Sequence, residues 1–194
     1  MKMDIQIKHM SKSAYGVIRK ISHLRKFLNN SSTEKLVRAF LTSWLDYCNS
    51  LLYGIPDNLL NHLQRFQNTA ARIVTRKRKF DHITPILISL HWLPVRQRIS
   101  YKILLITYKI MNNLAPPYLS ETIHMYKPAR ALRSSSAPKL EQPRIKTQTY
   151  GGRTLSSAAA TLWNSLSIDI RTTKDYNSFK KKVKTALFKE AYNL

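Results

Sequence analysis

Asp57-Asn58-Leu59-Leu60-Asn61-His62-Leu63-Gln64-Arg65-Phe66-Gln67-Asn68-Thr69-Ala70-Ala71-Arg72-Ile73-Val74-Thr75-Arg76 decides how the chain is read. Leu59, Leu63, Phe66, Ala70, Ile73 and Val74 recur at the three- and four-residue spacing of one helix face. Asp57 or Asn58 can cap its start. Arg65, Arg72 and Arg76 fall at i, i+7 and i+11, a single stripe beside the apolar face. The segment is therefore a helix with a greasy side and a cationic edge.

The same pattern extends in both directions. Upstream, Ala14, Val17, Ile18, Ile21, Leu24 and Leu28 predict a first helix. Ser31-Ser32-Thr33-Glu34 has capping-box spacing, and it opens a second helix with Val37, Phe40, Leu41, Trp44, Cys48, Leu51 and Leu52 inward. Gly54 and Pro56 end that helix. Downstream, Thr84 and Pro85 start a short segment as cap and first helical residue. Pro94 starts the longest helix, with Val95, Ile99, Ile103, Ile106, Ile110 and Leu114 buried. Pro116-Pro117 breaks the pattern, and a short amphipathic piece reaches about Tyr126.

Between Pro128 and Thr154 the composition shifts to serine, proline and alternating polar residues, which reads as a loop with a short hairpin. Helix resumes from Ser156 to Leu166. A last helix starts near Asp175, with Tyr176, Phe179, Val183, Leu187 and Ala191 inward. The fold class is mainly α: a helical bundle over 1–115, a linker over 116–131, and a basic C-terminal unit over 132–194.

Charge bounds the partner. Thirty-three Lys and Arg against ten Asp and Glu give a formal net charge of +23 on 194 residues. A compact globule with that imbalance repels itself unless a polyanion offsets it. Apolar residues make up 43% of the chain, so it can form a core and is not a disordered basic tail. The expected partner is RNA or DNA, bound largely without regard to sequence, with an anionic membrane surface as the rival.

The cations also form rows. Arg98, Lys102 and Lys109 make one stripe on the Pro94 helix, with Tyr101 and Tyr108 in the adjacent stripe. Lys12, Arg19 and Lys26 recur every seven residues on the first helix. Cations in rows match a phosphate backbone, and tyrosines beside them can stack on unpaired bases. The plain alternatives are a solvated helix face for the cations and the edge of a core for the tyrosines. Solvated faces usually interleave glutamate with lysine, whereas only Glu34, Glu121 and Glu141 precede the last helix here. The run Arg76-Lys77-Arg78-Lys79 reads as phosphate contact, nuclear-localisation patch or surface loop. The cluster Lys180-Lys181-Lys182-Val183-Lys184 reads the same way, or as a basic helix on a membrane, although its apolar residues suit a core. The candidate binding residues are Arg65, Arg72, Arg76, Lys77, Arg78, Lys79, Arg98, Lys102, Lys109, Tyr101 and Tyr108.

Little points to catalysis. Two-metal enzymes need carboxylates close together, and the nearest acidic pair in the sequence is Asp169 and Asp175. The histidines His9, His23, His62, His82, His91 and His124 are dispersed. No metal, cofactor or small-molecule substrate is expected. The single cysteine, Cys48, reads as a small buried hydrophobe, and one cysteine fits a reducing compartment. No apolar run approaches membrane-spanning length, and the first residues lack a signal-peptide core. The expected location is intracellular, nuclear or cytoplasmic.

Several ordered segments add a family resemblance. Leu45-Asp46-Tyr47-Cys48-Asn49-Ser50-Leu51-Leu52-Tyr53-Gly54 and Leu63-Gln64-Arg65-Phe66-Gln67-Asn68-Thr69-Ala70-Ala71-Arg72 come first. Leu90-His91-Trp92-Leu93-Pro94-Val95-Arg96 and Leu114-Ala115-Pro116-Pro117-Tyr118-Leu119 follow. Leu132-Arg133-Ser134-Ser135, Tyr150-Gly151-Gly152-Arg153-Thr154 and Leu162-Trp163-Asn164-Ser165-Leu166 complete the order. Together they resemble the region after the palm in non-LTR (LINE-type, Jockey-like) retrotransposon reverse transcriptases. The pattern departs at Ala160 and Ser167, where proline is common, and at Ser89, where a charged residue is common.

The resemblance implies a thumb-like bundle and C-terminal segment of an RNA-directed DNA polymerase, gripping RNA template and primer duplex while a palm does the chemistry. That palm, the partner in a full-length ancestor, and an endonuclease are expected to be missing, as in a truncated copy. The chain is then no enzyme by itself. A decayed element remnant and a host-adopted interaction module are the other readings.

Overall fold

A computed structural model describes residues 3–127, 138–147 and 150–194, and it is mainly helical. Compact packing groups the chain into two units, Met1–Asn49 with Ile55–Arg98, and Ser50–Gly54 with Ile99–Leu194.

In the first unit α4 (Asp57–Thr75) is the central element. Helices α1 (Met3–Leu24), α2 (Asn30–Val37) and α5 (Ile83–Ser89) all pack on it. α4 buries Leu60, Leu63, Phe66, Ala70, Ala71 and Val74, and α1 buries Ile7, Ala14, Ile18 and Ile21. Each fully buried Leu, Ile or Phe stabilises the fold by about 1.5–3 kcal/mol relative to exposure. Two glutamines of α4 then fix the start of α6 (Val95–Met111). Gln67 Nε2 donates to the Leu93 carbonyl at 2.8 Å, and Gln64 Oε1 accepts from the Val95 amide at 2.9 Å. The second bond gives a partner to an amide that a helix start leaves unpaired.

Local chemistry explains where the elements differ from expectation. α2 starts after Asn29, whose side chain accepts from the Ser32 amide, so the Ser31–Glu34 capping box is not formed. α5 begins after His82, ahead of the expected Thr84 cap. The longest helix is α1, with 22 residues against 17 for α6. Leu24 is exposed because the chain there tightens into a 3₁₀ turn, Arg25–Phe27.

The largest difference follows α2. A π-helical turn, Arg38–Thr42, leads into α3 (Ser43–Asp46). Its wider hydrogen-bonding shifts the phase of the residues that follow. Leu41 and Leu45 turn inward, while Phe40, Trp44 and Tyr47 lie exposed. Cys48 is an exposed thiol at a φ of 49°, not the small buried hydrophobe the pattern implied.

The second unit is built on α6 beyond Arg98, with α7 (Pro117–Ser120), α8 (Leu155–Ser165), α9 (Ile168–Arg171) and α10 (Tyr176–Tyr192). Asp175 caps α10, accepting from the Ser178 amide at 2.6 Å. Its centre is aromatic: Phe179 stacks on Tyr108 at 4.2 Å and lies 5.7 Å from Trp163. Leu114 is exposed, since Asn113 has already left the helix at a φ of 56°.

The described residues contain no strand. Within the expected loop or hairpin region and its lead-in, Met125 and Leu140 form one antiparallel bridge. Tyr126 donates to Lys139 and Glu141 to His124, both at 2.9 Å. The Asn164 side chain pairs with both backbone groups of Leu140 at 2.9 Å. Leu140 thus finds its described partners 15 and 24 residues away in sequence. Part of the expected loop, residues 128–137 with Leu132, Arg133, Ser134, Ser135 and Ser136, and residues Gln148 and Thr149, lies outside the described residues.

Gly54 has a φ of 70° and sits under Arg153, where an added Cβ would come within 2.9 Å of Arg153 Cγ. Two of the quoted motifs thus meet at a position that favours glycine. Among the described residues no helix is long and apolar enough to cross a membrane.

Candidate functional site

α4 ends where Arg76 takes a left-handed φ of 56°. A helix C-terminus carries unpaired carbonyls and about half a negative charge. Arg25 satisfies those carbonyls. It follows Ile21 by four residues, so it continues the buried face of α1 past the helix end. Its Nε donates to the Ile73 carbonyl at 2.8 Å, and a terminal nitrogen donates to Val74 at 2.9 Å. The guanidinium also donates to the Leu28 carbonyl and to Asn30 Oδ1. Arg76 reaches back to the carbonyl of Leu28 at 3.2 Å. Burial, and after it the Arg76 charge, lowers the Arg25 pKa from its ordinary value. Arginine nevertheless stays a cation at physiological pH.

Around this joint lies an open recess of about 560 Å³. Arg25, Arg72, Arg76, Lys77 and Lys79 line it with Ile73 and the hydroxyl-bearing Ser22 and Thr69, and no carboxylate is among the lining residues. The helix end offsets roughly half a charge, against five cations in one recess. Capping therefore explains Arg25 and leaves the rest uncompensated. Arg72 donates a terminal nitrogen to the Asp81 carbonyl at 3.1 Å, while its Nε is buried without a partner. A buried donor in that state costs free energy. The Asp81 carboxylate accepts from the Arg78 amide at 2.7 Å and so pins the basic loop.

The structure thus brings together Arg72, Arg76, Lys77 and Lys79. Arg65 is exposed on α4, and Arg78 is exposed on the loop; neither lines the recess. The second stripe does not hold together as a contact row. Arg98 makes two 2.8 Å bonds to the Asp46 carboxylate and one of 3.2 Å to the Leu93 carbonyl, so it is a structural ion pair. Lys102 is exposed, and Lys109 sits 5.4 Å from the Tyr176 ring centre.

Tyr108 is 1% exposed and donates its hydroxyl to the Lys174 carbonyl, so it belongs to the core and cannot meet a base. Burial, and then the Asp175 charge, raises its pKa. Tyr101 is half-buried, and burial followed by Tyr176 raises its pKa too.

Sequence reasoning passed over Arg25, Ser22 and Thr69. One signal was present: Arg25 stands at the next inward position after Ile18 and Ile21, where a charge needs a buried partner. Compared with known proteins, the chain matches no family model, no curated protein and no solved structure.

Proposed function

We propose that this chain is a non-catalytic nucleic-acid-binding fragment of a retrotransposon RNA-directed DNA polymerase, gripping RNA or DNA by its phosphates. The recess at the end of α4 is its principal contact. The observation that carries the reading is the convergence of five cations with no carboxylate on that recess, in a chain of net charge +23. Phosphate contacts set position and affinity without reading bases, which fits a grip on template and primer of any sequence. The polymerase ancestry rests on the resemblance of the ordered motifs. One of those motifs contributes to the recess, since Thr69 and Arg72 of the Leu63–Arg72 segment line it.

The test is a polarisation titration of the chain against an RNA–DNA hybrid and against a second hybrid of scrambled sequence. Both should bind alike. If about five phosphates are neutralised, affinity should fall roughly 500-fold between about 50 and 200 mM salt. A flat salt response, or strong preference for one sequence, would overturn the proposal.

A further inference from the structure

Two large aromatic side chains close in sequence to lining residues of the recess are left in water. Phe80, the residue after Lys79, is 91% exposed, and Phe27, two residues after Arg25, is 77% exposed. Consecutive Cα atoms are about 3.8 Å apart, so the backbone of Phe80 adjoins that of the lining residue Lys79, and Phe27 follows Arg25 by two residues. The Lys26 ammonium lies 4.8 Å from the centre of the Phe27 ring. Single exposed apolar residues are ordinary. Two exposed phenylalanines in the segments that supply Arg25 and Lys79 to one cationic recess, with no carboxylate among its lining residues, are a combination with a specific use.

From this we infer that the recess takes an unpaired stretch of nucleic acid, with phosphates against Arg72, Arg76, Lys77 and Lys79 and bases stacked on Phe27 and Phe80. The inference rests on the nucleic-acid reading of the same recess and narrows it from any polyphosphate strand to a single-stranded one. A duplex offers phosphates but keeps its base faces stacked inside, so it engages the cations and not the rings. A single strand engages both, because every base has a face to stack. The density of positive charge argues against an apolar protein segment as the occupant, which would have to desolvate those cations without compensating them.

Affinities of the full chain for a short oligouridine and for a blunt duplex of equal length separate the possibilities. Phe27→Ala combined with Phe80→Ala should weaken single-strand binding at least about tenfold. Duplex binding should stay within about twofold, and the salt slope should not move. Both rings are exposed, so helical content by circular dichroism should match the parent. Unchanged single-strand affinity, or an equal loss for both ligands, overturns the inference and leaves the phosphate contact standing. A change in self-association with no change in affinity overturns it as well. Failure of the parent chain to bind either nucleic acid overturns the reading of the recess itself.

Discussion

The two cationic rows, one on α4 and one on α6, look equivalent as spacings and end in opposite states. On α4, Arg72 and Arg76 join Lys77, Lys79 and Arg25 around a recess that no carboxylate lines. On α6, Arg98 is held by Asp46, Lys109 lies near Tyr176, and the accompanying Tyr108 is buried. Helical pitch can align charges, but it does not say what lies opposite them. The α4 row points past a helix end where carbonyls draw cations together. The α6 row starts beside an acidic residue and continues along a packed aromatic layer.

The largest effect that separates the rows is on stability. Tyr108→Ala removes a ring stacked on Phe179 and should destabilise the chain by about 4 kcal/mol, read from urea unfolding. If it costs less than about 1 kcal/mol, Tyr108 is not the core residue described. Next, Asp46→Ala leaves Arg98, whose side chain is 17% exposed, without its carboxylate. The expected loss is about 2 kcal/mol, below that of a fully buried pair because Asp46 is partly solvated. Its nucleic-acid affinity should be unaltered at permissive temperature. Arg76→Gly sharpens the contrast from the other side. Glycine suits the left-handed position, so stability should change by less than about 1 kcal/mol, while the slope of log affinity against log salt should fall by about 0.9. The smallest effect belongs to the double variant Lys102→Ala and Lys109→Ala, with stability within about 0.5 kcal/mol and an unchanged salt slope. A slope loss there equal to that of Arg76→Gly would erase the distinction between the rows.

Much of the helical pattern was legible because burial follows period. Leu63, Phe66, Ala70 and Val74 are buried where the spacing of α4 put them, as are Phe179, Val183 and Leu187 on α10. The phase after Val37 was not legible, since the π turn at Arg38–Thr42 adds a step that periodicity cannot see and exchanges Leu45 for Trp44 and Cys48. The bridge at Leu140 was hidden for a different reason: its partners, Met125 and Asn164, are remote in sequence.

The site was half visible. Arg72, Arg76, Lys77 and Lys79 stand close enough in sequence to be read as a group. Arg25 is 48 residues from the Ile73 carbonyl it caps, and nothing local announces that bond. Arg98 misled because its carboxylate partner, Asp46, is equally remote.

The central claim is tested most directly by the salt dependence of nucleic-acid affinity in the triple variant Arg76→Gly, Lys77→Ala and Lys79→Ala, compared with the parent chain. All three residues are exposed, so the fold should persist. Loss of three phosphate contacts should reduce the slope of log affinity against log salt by about 2.7. A triple variant whose slope equals that of the parent would contradict the account, because the recess would then not be where the phosphates are held.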